Sequence, residues 1–74
     1  MITFANKIVA VTGGAQGIGL AAARAFHQSG ARLFLLDLPD SPLHDAAREL
    51  RAEAIPLDVR DRAAVQSAFR QIGT

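Results

Sequence analysis

Three apolar runs alternate along the chain with three stretches whose apolar residues recur every three or four positions. The first run lies within Lys7 to Thr12. Its centre, Ile8 to Val11, is rich in β-branched residues, as a strand covered on both faces requires. Gly13 to Gly19 follows as a turn. A first helix is expected from about Gly17 to Ser29, with Ile18, Ala22, Ala25 and Phe26 at helical spacing. Gly30 stands where a left-handed C-cap would close that helix. Arg32 to Leu36 reads as the second strand, apolar almost throughout and ending at Asp37.

Pro39 and the cluster Asp40-Ser41-Pro42 then interrupt the chain. Ser41 is placed as an N-cap, with Pro42 at the first helical position. The second helix turns Leu43, Ala46, Ala47 and Leu50 inward and Asp45, Arg48, Glu49 and Arg51 outward. Ala54 to Leu57 is a short third strand. Pro56 removes a ladder donor there, so the strand belongs at an edge. Asp61 caps a third helix in which Val65, Ala68, Phe69 and Ile72 share a face, and Gly73 closes it. Met1 to Asn6 is a lead-in. The predicted order is β-α-β-α-β-α, with crossovers long enough for parallel strands. The fold class is therefore α/β, a Rossmann-like doubly wound parallel sheet, present as its N-terminal β-α-β-α-β-α half only.

Composition narrows the picture. Seventy-four residues make one small domain at most, and a core of that size is marginal without a staple. Cysteine is absent and the two histidines are isolated, which excludes disulfides and a structural zinc site. Yet half of the residues are hydrophobic, which points to a portion of a larger domain. The net charge is +1 and the basic residues are scattered singly, against a nucleic-acid surface. No run approaches a membrane span, and the N-terminus lacks a charged region followed by an apolar core, so a cytoplasmic protein is expected. His27 and His44 read as packing or solvent-facing residues, and Lys7 as a solvated charge.

The candidate chemistry lies in the glycines and two acids. Four of the six glycines, Gly13, Gly14, Gly17 and Gly19, fall within seven positions, where the first strand turns into the first helix. Such a turn gathers backbone N–H groups and the positive end of a helix dipole at one point, which suits a phosphate. Asp37 lies twenty residues beyond Gly17, at the tip of the second strand. In a parallel βαβ unit that tip stands beside the glycine turn, where a carboxylate can accept hydrogen bonds from ribose hydroxyls. It would repel a 2′-phosphate, and Gln16 is neutral where a basic residue could have paired with one. Both features favour NAD over NADP. Asp58 stands free at the tip of the third strand, since Asp61 is the better placed cap.

These residues carry a family resemblance. Thr12-Gly-Gly-Ala-Gln-Gly-Ile-Gly19 resembles the Thr-Gly-x-x-x-Gly-x-Gly turn of the short-chain dehydrogenases/reductases. Asp37 matches their strand-end acid, and Leu57-Asp58-Val59 their third-strand Asp-Val. The resemblance implies that Gly13, Gly17 and Gly19 shape the turn and that Gln16 and Ile18 flank the pyrophosphate and nicotinamide ribose. It likewise implies that Asp37 and Leu38 hold the adenosine ribose while Asp58 and Val59 flank the adenine. It further implies hydride transfer between a nicotinamide dinucleotide and an alcohol or carbonyl substrate, in a homo-oligomer. The family's acid/base is a tyrosine, and none of the 74 residues is tyrosine, so no catalytic residue is assigned. Residues 1–74 are thus expected to be a partial NAD(P)-binding domain, ending before the catalytic segment, with an open first-strand edge that promotes self-association.

Two rival readings stand beside this one. An S-adenosylmethionine site also places an acid after the second strand, though usually with another acid ahead of the first glycine, where Val11 and Thr12 stand here. A non-catalytic nucleotide-binding or scaffold half-domain would retain the fold without the enzyme. A P-loop is excluded, because Gly19 is followed by Leu20-Ala21 rather than Lys-Ser/Thr. The frame Gly17-Ile-Gly-Leu-Ala-Ala22, which also fits a dinucleotide fingerprint, starts too far beyond the strand for the tight turn.

Overall fold

A computed structural model describes residues 5–73, so the first four residues of the expected lead-in lie outside the described residues. The order is β1 (Ile8–Thr12), α1 (Gly17–Gln28), β2 (Arg32–Asp37), α2 (Leu43–Leu50), β3 (Glu53–Pro56) and α3 (Arg62–Gly73). All three strands are parallel, in the order β1-β2-β3. Val11 pairs with Leu35 and Leu36 with Ile55, so the strand tips end level.

The central strand explains the two-sided cover. Leu33 to Leu36 are all buried, and alternation along a strand sends them to opposite faces. Leu33 and Leu35 pack with Ala23 of α1 and Leu43, Ala46, Ala47 and Leu50 of α2. Phe34 and Leu36 pack with Ile55, Leu57 and Ala68 of α3. Helices therefore lie on both faces of the sheet, the expected doubly wound arrangement. On the surface, Arg24 of α1 donates from Nε and Nη2 to Glu49 of α2 at 2.7 and 3.1 Å, tying the two helices together.

Several local expectations are met. The second helix buries the four predicted residues, β3 is an edge strand that holds Pro56, and Gly30 takes a φ of +91° after α1. The Asp61 carboxylate accepts from the Ala64 N–H at 3.2 Å, as an N-cap should.

Others are corrected. Ser41 does not cap α2: its hydroxyl donates to the Leu38 carbonyl at 2.6 Å and closes a turn, while Pro42 takes the cap position. The third strand runs one residue earlier than expected, from Glu53, because Phe34 pairs with Glu53. In α1 the inward line is Leu20, Ala23 and Phe26; Ile18 and Ala25 are exposed. In α3, Ala64, Val65, Ala68 and Ile72 meet the sheet, and Phe69 is 60% exposed. The helix covers only the few side chains that β2 and β3 present, so its buried arc is narrower than the apolar spacing implied.

Candidate functional site

The site begins with the turn after β1. The Gly13 N–H donates to the Leu36 carbonyl at 2.7 Å, so the turn is fastened to the end of the neighbouring strand. Gly17 takes a φ of +62°, which a side chain rarely tolerates. Gly19 is held by a close approach, because a Cβ there would run into the Gly13 carbonyl. A larger residue would push the first turn of α1 away from the strand.

The N-terminus of α1 is left open. Its cap residue Gln16 makes no side-chain cap bond, and the first turn holds no acid. The Leu20 N–H is the first to donate within the helix, to the Gln16 carbonyl at 3.3 Å. The N–H groups of Gly17, Ile18 and Gly19 precede it and have no intrahelical acceptor. Together with the helix dipole they form a cradle for an anion.

Asp37 bridges the second strand and the glycine turn. Its Oδ2 accepts from the Ala15 N–H at 3.0 Å and its Oδ1 from the Leu38 N–H at 2.8 Å. Each oxygen keeps a lone pair for a further donor. The Leu57 N–H donates to the Asp37 carbonyl at 2.8 Å, so the exit of β3 is drawn to the same point.

A cavity of about 410 Å³ opens at the three strand tips, lined by Gly13, Asp37, Leu38, Asp58 and Val59, with Thr12, Leu36, Leu57 and Arg60. Five of the expected site residues thus share one hollow. Gln16, Gly17, Ile18 and Gly19 do not line it; they form the adjoining end of α1, joined to it through the close approach of Gly19 to Gly13. Ile18, Leu38 and Val59, 91%, 43% and 61% exposed, put three large apolar side chains around the site without burying them in the core. Such surfaces suit the flat faces of a ligand.

Arg60 was not anticipated from the sequence. Its Nε and Nη2 fork onto Asp58 at 2.6–3.1 Å, and its backbone N–H donates to Asp58 Oδ1 at 2.9 Å. These bonds hold the Asp58 carboxyl down at about 2, the guanidinium contributing most and the backbone N–H next. The sequence places Arg60 two positions after Asp58 in the loop beyond a strand tip, but that spacing does not fix where the guanidinium points. Among the described residues no cluster of potential metal ligands occurs, and no helix is long and apolar enough to cross a membrane.

Comparison with known proteins places this geometry in a family. The family model for short chain dehydrogenases matches residues 7–74. Meso-2,3-butanediol dehydrogenase of Serratia marcescens is 38% identical over 72 residues, covering 93% of this chain and 29% of its own length. The apo form of LigD from Sphingobium sp. strain SYK-6 superposes with a TM-score of 0.88 at 32% identity, over 93% of this chain and 32% of that one. RhlG of Pseudomonas aeruginosa, solved as an NADP active-site complex, gives a TM-score of 0.85 at 31% identity, over 96% and 30% respectively. This chain therefore spans about a third of the length of each of these three relatives. With its glycine turn, three parallel strands and matching family model, the chain belongs to the short-chain dehydrogenase family, whose members include NAD(P)-dependent oxidoreductases.

Proposed function

We propose that these residues bind the adenosine and pyrophosphate portions of a nicotinamide dinucleotide, NAD in preference to NADP, within an oxidoreductase acting on an alcohol or carbonyl substrate. The observation that carries the reading is the convergence of Gly13, Asp37, Leu38, Asp58 and Val59 on one strand-tip cavity beside the open end of α1. The residues fit the group. The N–H groups of Gly17 to Gly19, which have no acceptor within the helix, would take the pyrophosphate, with Gln16 and Ile18 flanking it and the adjoining ribose. Asp37 would accept the adenosine ribose hydroxyls, with Leu38 against the sugar, and Asp58 and Val59 would border the adenine.

The cofactor would supply hydride transfer; these residues would bind it, orient it and stabilise its phosphates through backbone N–H groups and the helix dipole. The tyrosine that the family resemblance implies as acid/base is not among these 74 residues. On this reading residues 1–74 are the cofactor-binding portion of a longer cytoplasmic dehydrogenase, a homo-oligomer as the family resemblance implies, with no nucleic-acid or membrane partner. The preference for NAD rests on Asp37, whose charge would repel a 2′-phosphate at the position of the ribose hydroxyls. Titration with NADH, NADPH and S-adenosylmethionine tests the assignment. NADH is expected to bind more tightly than NADPH, and S-adenosylmethionine not at all. Binding of S-adenosylmethionine alone would overturn it.

A further inference from the structure

Arg60 lines the strand-tip cavity, and its charge is already engaged. Its Nε donates to Asp58 Oδ1 and Oδ2 at 3.0 and 3.1 Å, and its Nη2 to Oδ2 at 2.6 Å. A guanidinium laid along a carboxylate in this way is a forked, charge-assisted pair. The two residues are separated by Val59 alone, so the loop after β3 presents them as one electrically neutral unit. At the tip of β2, the partners of the Asp37 carboxylate are the backbone N–H groups of Ala15 and Leu38. The cavity therefore offers the Asp37 carboxyl group to hydroxyl donors, and its guanidinium is withheld from any incoming anion. The side chains of Arg60 and Asp58 are 85% and 32% exposed. Freeing the guanidinium would thus require no repacking of the core.

We propose that the Asp58–Arg60 fork is a specificity lock: by holding the guanidinium, Asp58 denies a cation to a 2′-phosphorylated adenosine that Asp37 already repels. The proposal rests on the nicotinamide dinucleotide reading above and adds a second determinant, on a different strand tip from Asp37. It makes Asp58 a positioning residue for Arg60 as well as a border of the base.

The test is the ratio of NADPH to NADH dissociation constants, measured by nicotinamide fluorescence on the full chain. The proteins are wild type, Asp58→Asn, Arg60→Ala and the double variant. Asparagine keeps an oxygen to accept the Arg60 N–H, so the bend of the loop survives while the charge that holds the guanidinium is lost. Asp58→Asn is expected to lower the ratio by on the order of fivefold, the scale of an exposed forked ion pair. The double variant should return to the wild-type ratio, and Arg60→Ala alone should not lower it. An Asp58 that merely touches the base would weaken both cofactors equally, and an unchanged ratio in Asp58→Asn would overturn the proposal. So would a lowered ratio that persists in the double variant, because the effect would not then pass through Arg60. Wild type binding both cofactors equally would overturn the lock and the NAD preference while leaving dinucleotide binding in place, whereas wild type binding neither would overturn the dinucleotide reading itself.

Discussion

Asp58 shows how one side chain's chemistry is set by its nearest neighbours. The Arg60 guanidinium and backbone N–H favour the ionised carboxylate, holding it at about 2 against an ordinary 3.8. Because the folded value is depressed, the pair favours the folded chain above the unfolded value and loses that contribution as pH falls through about 2. A carboxyl-carbon NMR titration should find Asp58 still ionised at about pH 3, and Arg60→Ala should return it toward the ordinary aspartate range. An Asp58 that titrates normally in the wild type would show that the fork does not persist in solution. Asp37 and Asp58 were both legible in the sequence as strand-tip acids. The partner of Asp58 was not, because an arginine two positions on in a loop has no fixed direction until the loop is built. The bond from the Ala15 N–H to Asp37 was equally hidden, since a contact across 22 positions has no local signature.

At the scale of elements, apolar spacing located every helix and strand but misassigned some faces. Ile18 sits at helical spacing from Ala22, Ala25 and Phe26, yet it is 91% exposed, while the fully buried residue of α1 is Ala23. A large apolar residue beside a binding site and one in a core look the same along the chain. The small residue is buried because α1 must lie close to the sheet. The end of α2 carried a different surprise. Arg51 closes it in the left-handed region, with φ of 52° and ψ of 38°, a conformation that costs a side-chain-bearing residue roughly 1 kcal/mol. Arg51→Gly is therefore expected to stabilise the chain by about 0.5–1 kcal/mol, read as a higher urea midpoint at unchanged slope. A lower midpoint would mean that the flexibility glycine adds to the unfolded chain outweighs the relieved strain.

For the whole molecule, the decisive feature is the uneven cover of β1. Val9 and Val11 are half-buried toward α1 and α2, whereas Ile8 is 54% exposed and Ala10 and Thr12 are exposed on the other face. With β1 and β3 as the outer strands among the described residues, β1 offers both an open backbone ladder and an apolar face. These 74 residues alone should therefore self-associate as concentration rises. Ile8→Lys should shift sedimentation toward the monomer, and a wild type that stays monomeric and melts in one sharp transition would contradict this. The strand tips and the start of α1 are proposed to form the dinucleotide site together. That assignment is tested most directly by following every backbone amide by NMR while NADH is added. The largest shifts are expected at Ala15, Gly17, Ile18, Gly19, Leu38 and Val59. Little change is predicted at the separate hollow between β3 and α3, lined by Ala54, Ser67 and Gln71. Shifts concentrated in that hollow, or none at the glycine turn, would contradict it.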